Sequence, residues 1–372
     1  MNRSIRLGRL LGIPIEISYT WFIIFAVVTA SLAAAYFPAR YAGWGSPSYW
    51  MVGVFTSLLF FGSVLTHELA HSVVAMAWGI PVRSITLFVF GGVASIEREP
   101  DRPLAEFLIA IAGPVASLLL ALAFGLLWLA GRSLDLVQLG ALGLYLAGIN
   151  VSLAVFNMLP GFPLDGGRIF RSVVWALTHD VGRATRLAAG TGRVIAWLII
   201  AGGGALLVMG NFASGVWLGV VGWFLDSAAS QSGQQARLRQ ALNGYTAGDF
   251  ASRACQPVDG NLPLDWAMRD HVPTDQLCFM VMDGLWDGTP EGLVTAQDIR
   301  QVPRQRWSWT SLRQIMTPLR SVSPVAAGET AYAVLERMVA EGQSMLPVMD
   351  DGKFVGLVQQ DNLLRFATLR RS

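Results

Sequence analysis

Six apolar runs, near residues 18–38, 50–78, 106–130, 136–159, 190–209 and 212–229, constrain this chain more than any other feature. A helix needs about 20 apolar residues to cross the hydrocarbon core of a bilayer. Inside that core every backbone polar group must be paired within the protein, so runs of this length predict spanning helices. The whole chain carries 53% hydrophobic and only 14% charged residues, whereas soluble domains carry nearer a quarter charged. The net charge of +2 comes with no basic stripe, so a nucleic-acid partner is not expected. The basic N-terminus and Ala33-Ala34-Ala35 have elements of a cleaved signal peptide, but the apolar run between them is long for one. Cys255 and Cys278 are too few for a disulfide framework and read as free thiols on the reducing side.

Arginine placement gives an orientation, because positive charge concentrates on the cytoplasmic side. Arg3, Arg6 and Arg9 precede the first span; Arg83, Arg98 and Arg102 follow the second; Arg168, Arg171, Arg183 and Arg186 follow the fourth. The opposite loops hold Arg40 and Arg132. A multi-pass cell-membrane protein with both termini in the cytoplasm is therefore expected. After the second span, Val82, Ile85, Leu87, Val89 and the stretch Val93 to Ile96 are rich in β-branched residues around Gly91-Gly92. This predicts a short β-hairpin at the membrane surface.

Near residue 230 the runs shorten and charges become regular. Residues 1–230 are read as the transmembrane domain and 231–245 as a linker or a helix leaving the membrane. Two units of about 60 residues follow, at 246–305 and 306–372, as judged by an internal repeat. Residues 292–299 (GLVTAQDI) resemble residues 356–363 (GLVQQDNL). The expected architecture is an α-helical polytopic membrane domain followed by an α/β module.

The sharpest chemical signal is His67-Glu68-Leu69-Ala70-His71, inside the second run. Residues four apart share a helix face, so both imidazoles can bind one zinc ion. Glu68 can reach a metal-bound water as general base. An ionisable trio in hydrocarbon is costly and marks a functional site; a hydrogen-bonded polar patch between helices is the bland alternative. A catalytic zinc takes three protein ligands. The other histidines, His179 and His271, are poorly placed, which points to a carboxylate. Asp165 is one candidate, beyond Pro160 and Pro163, which break the fourth helix; it also fits an ordinary Asp-Gly turn. Glu106, at the start of the third span, is the rival.

Together the HExxH helix, Phe90-Gly91-Gly92, Ala112-Gly113-Pro114 and the stretch from Asn157 through Pro160, Pro163 and Asp165 to Gly167 resemble the site-2 protease family of intramembrane metalloproteases. The resemblance covers residues 1–230. It implies Zn2+ on His67, His71 and Asp165, with Glu68 activating water and Asn157 holding the substrate backbone or oxyanion. It also implies a substrate that is a single-pass membrane protein, such as an anti-sigma factor or another membrane-tethered regulator. Residues 246–369 resemble a tandem pair of CBS domains, the first degenerate. That resemblance implies adenine nucleotide (AMP, ADP or ATP) near Thr295 and Asp298, and a homodimer through the CBS pair. In the second copy Gln359 and Asn362 replace that pair. A CBS-regulated membrane transporter is the alternative function.

Overall fold

In the computed structural model the N-terminal strands pair ahead of the first long apolar helix. The structure describes residues 4–89, 91–252, 256–269, 278–283, 290–318, 323–350 and 353–369. Strands β1 (Ser4–Leu10) and β2 (Ile13–Ser18) form an antiparallel hairpin. Ile13, Ile15 and Ile17 are buried, while Pro14 and Glu16 between them are half-buried. This alternation is the strand signature of period two. The Ser18 hydroxyl then accepts from the Thr20 amide and caps the first membrane helix, α1 (Tyr19–Arg40).

Helix α2 (Ser46–Ala77) has 32 residues, about 48 Å at 1.5 Å per residue. That exceeds the roughly 30 Å hydrocarbon thickness, so the helix must tilt or protrude. After α2 the chain makes β3 (Val82–Phe88) and β4 (Gly91–Ile96). These two strands form the expected hairpin; Phe90 lies outside the described residues. The hairpin does not stand alone, because β2 runs parallel to β3, pairing Ile15 with Ile85 and Ile17 with Leu87. The result is a four-stranded sheet in the order β1-β2-β3-β4, with β4 at an edge.

Helices α3 (Pro103–Ser133) and α4 (Val137–Asn157) pack closely on each other. The short helix α5 (Asp165–Thr178) packs chiefly on α3 and on α6 (Val181–Val208). It follows the seven-residue break at 158–164, as the two prolines predict. Helix α7 (Phe212–Leu242) runs on without interruption through residues 231–242. Six helices among the described residues, α1 to α4, α6 and α7, are long and apolar enough to span a membrane.

The chain divides into two compact units, Met1–Ala236 and Arg237–Ser372. Among its described residues the second has two sheets. One has the order β5-β6-β7-β8, from Gln256–Asp259, Cys278–Met282, Pro290–Thr295 and Thr317–Pro318. The other has β9 (Val325–Ala326) parallel to β10 (Met345–Asp350), and β10 antiparallel to β11 (Lys353–Gln359). The repeated sequences are the same device used twice. Each is the end of a strand, β7 or β11, leading directly into a helix, Ala296–Arg300 or Gln360–Leu369. Leu293 of the first copy meets Met345 and Leu357 of the second, joining the two halves through an apolar contact.

Candidate active site

His67 and His71 lie on one face of α2, 4% and 5% exposed. Each ring is held from α3. His71 Nδ1 donates to the Ile109 carbonyl at 2.6 Å, and His67 Nδ1 bonds the Ser117 hydroxyl at 2.9 Å. Both Nε2 atoms then turn toward each other, 3.2 Å apart. Asp165, the first residue of α5, places Oδ2 3.1 Å from His67 Nε2 and 3.3 Å from His71 Nε2.

Those distances decide what the cluster suits. Ligands about 2.0–2.1 Å from a tetrahedral zinc stand roughly 3.3–3.4 Å from one another. The three donor atoms form a triangle of nearly that edge. With its Nδ1 proton on a carbonyl, neutral His71 offers Nε2 only as a lone pair, and it faces another nitrogen and a carboxylate. Such electron-rich atoms gathered in a buried place suit a cation between them. Among the described residues, His67, His71 and Asp165 are the group with metal-holding geometry.

The α3 backbone makes room for the triangle. A Cβ on Gly113 would collide with Nε2 of both histidines. Glycines also secure the loop that delivers Asp165. Gly161 and Gly167 pack backbone against backbone, and Gly192 of α6 lies against Phe162. A side chain at any of these three would force loop and helix apart.

Glu68 is half-buried beside the triangle. Gly92 of β4 lies so close that an added Cβ would be 2.6 Å from Glu68 Cγ. The edge strand therefore rests on the glutamate. Asn157 is the half-buried last residue of α4, before the loop.

Glu106 stands apart from the cluster. It forms a buried ion pair with Arg171 of α5, the two being 2% and 5% exposed. His179 ends α5 in a left-handed conformation and is exposed. His271 and Cys255 lie outside the described residues. Thr295 and Asp298 meet as a helix cap. The Thr295 hydroxyl and amide both donate to Asp298 Oδ2 at 2.8 Å, and the Asp298 amide donates back to Thr295 Oγ1 at 3.4 Å.

Ser117 is a residue of this region that the sequence reading did not name, and Arg171 entered it only as a topological charge. For Ser117 a signal existed. Glu106, Ala110, Gly113 and Ser117 recur at spacings of four, three and four, one face of a helix. A polar residue on that face of an apolar span deserved a partner.

Comparison with known proteins places this geometry. Residues 55–133 and 130–200 match the model of Peptidase family M50, and residues 312–368 match that of the CBS domain. A Synechocystis sp. protein named as a zinc metalloprotease is 35% identical over 98% of this chain and 96% of its own length. Rip3 of Mycobacterium tuberculosis, named likewise, is 35% identical over 100% of this chain and 94% of its own. Among solved structures, the site-2 protease from Methanocaldococcus jannaschii aligns over 62% of this chain and 95% of its own at 28% identity, with a TM-score of 0.41. The molecule is thus a multi-pass membrane zinc metalloprotease with C-terminal CBS domains. The chain belongs to Peptidase family M50, the site-2 protease family, and the transporter alternative is not favoured.

Proposed function

We propose that this chain hydrolyses peptide bonds within transmembrane segments of single-pass, membrane-tethered regulators. The observation that carries the reading is the triangle of donor atoms on His67, His71 and Asp165, with edges of 3.1 to 3.3 Å. These three residues would hold the zinc ion, which supplies Lewis acidity to a bound water and to the scissile carbonyl. Glu68, next to the triangle, would take a proton from the attacking water onto its carboxylate and pass it to the leaving amine. Asn157 offers a side-chain amide to the substrate backbone or developing oxyanion.

A substrate helix hides its carbonyls in internal hydrogen bonds and must unwind before attack. The edge strand β4, lying on Glu68 through Gly92, is where an extended segment could pair as an added strand. The arginine bias supports cytoplasmic termini, with the triangle toward the cytoplasmic side. The CBS pair would bias substrate access according to adenine nucleotide, with Thr295 and Asp298 as its contacts and a second copy of the chain as its dimer partner. Those two residues already cap a helix, so ligand contacts would share atoms with the cap.

The test uses purified full-length protein and a membrane-tethered substrate carrying tags on both ends. Mass spectrometry of the products should place the cut inside the substrate's apolar segment, and chelation should stop it. Cleavage only outside that segment would refute the reading.

A further inference from the structure

We infer that the buried Glu106–Arg171 pair is a positioning device for the third zinc ligand. The inference rests on the proposed role of Asp165 as that ligand. Asp165 reaches the histidines of α2, yet α5 packs chiefly on α3 and α6. What fixes α5 against α3 therefore fixes Asp165 against the histidine pair.

Two features relate α3 to the start of α5. One is the donor cluster itself, where Gly113 lies against the nitrogens that Asp165 faces. The other is the ion pair. Glu106 lies seven residues back along α3 from Gly113, and Arg171 lies six residues along α5 from Asp165. At 1.5 Å per residue these offsets are about 10 and 9 Å. The ion pair thus lies at a similar distance along each helix from the donor cluster, where Asp165 and Gly113 both meet the histidines of α2.

Arg171 also reaches the loop that delivers Asp165. Its guanidinium stands 5.4 Å from the ring centroid of Phe162, three residues before the ligand. A further carboxylate, Glu99, lies 3.7 Å from its Nη1. One side chain therefore links α3, α5 and the preceding loop. A planar guanidinium can stack on a ring and fork onto carboxylates together; a lysine ammonium cannot. The precision required is high. Metal–ligand distances tolerate only about 0.2 Å, whereas a slip of α5 by one residue would move Asp165 by about 1.5 Å.

The cost of the pair argues that it does more than stabilise. Two charges at 2% and 5% exposure give up their hydration, and replacing such a pair by apolar residues is often neutral or stabilising. The second Glu106 oxygen, Oε2, is buried without a hydrogen-bond partner among the described residues. A pair kept for stability alone would be a poor solution; one kept for register has a reason to persist.

The test is zinc affinity, measured by competition with a chelator on the full chain in detergent. The double variant Glu106→Leu with Arg171→Met removes both charges and leaves neither unpaired. It should fold with an unfolding temperature near that of the wild type in the zinc-free state. It should nonetheless bind zinc about 10- to 100-fold more weakly, the loss typical of residues that orient metal ligands. Arg171→Lys, which keeps the charge but loses fork and stack, should fall between. Unchanged zinc affinity in the double variant, with zinc bound to the wild type, would overturn the clamp alone. Absence of zinc from the wild type would overturn the reading of the site, and the clamp with it.

Discussion

His71 gives its Nδ1 proton to the Ile109 carbonyl, and that bond decides what its other nitrogen can do. In the neutral ring Nε2 is then a lone pair, aimed at the place where Asp165 and His67 also point. Ser117 orients His67 in the same way from the next turns of α3. Removing such a partner typically costs 10- to 100-fold in metal affinity, so Ser117→Ala should weaken zinc binding by about 10-fold in a chelator titration. Gly113→Ala is the harsher change, because its methyl would overlap both Nε2 atoms. It should leave the purified protein without zinc by metal analysis; a full equivalent of zinc would contradict the packing. The histidine pair was legible in the sequence because a spacing of four is local and helix geometry converts it to a shared face. The choice between Asp165 and Glu106 was not legible from spacing. Both carboxylates lie near helix starts, and only the packing of α5 on α3 gives one to the histidines and the other to Arg171. The Thr295–Asp298 motif has a second meaning of the same kind, since its spacing serves a helix cap as well as a ligand.

At the scale of elements, the sheet matters because its edge strand touches the glutamate. Gly92 of β4 lies against Glu68, so the strand that would receive substrate also bounds the space of the proposed base. Phe88 ends β3 opposite Gly91. Proline there removes an amide and restricts the hairpin. Phe88→Pro should reduce cleavage at least about tenfold, the scale of a lost positioning contact, with zinc content unchanged. Undiminished cleavage would remove the sheet from the mechanism. The hairpin β3–β4 could be read from its β-branched residues, but its partner β1–β2 was hidden. Arg6 and Arg9 serve equally as topological charges, while the alternation of Ile13, Ile15 and Ile17 carries the strand signal. The break between α4 and α5 was legible, since Pro160 and Pro163 cannot continue a helix. The glycine contacts that hold this loop on α6 were not, because close approach depends on where a distant helix lies.

For the whole molecule, six apolar helices and a sheet surround the donor triangle, and a CBS pair follows them in the chain. Zinc binding should stabilise the fold by mass action, by about 2.7 kcal/mol at a hundred times its dissociation constant. If nucleotide biases access, it must prefer one arrangement of the CBS pair over another. Millimolar AMP, ADP or ATP should then change the cleavage rate of the intact protein; equal rates across all three and the nucleotide-free control would remove that regulation. The central claim is that an intramembrane zinc site performs hydrolysis with Glu68 as its base. Its most direct test is the turnover of the zinc-loaded Glu68→Gln protein on a tagged transmembrane substrate, beside the wild type. The account predicts a loss of about 10²- to 10⁴-fold, the usual contribution of a general base, with one zinc still bound per chain. Cleavage within a few-fold of the wild type by the zinc-loaded variant would contradict it.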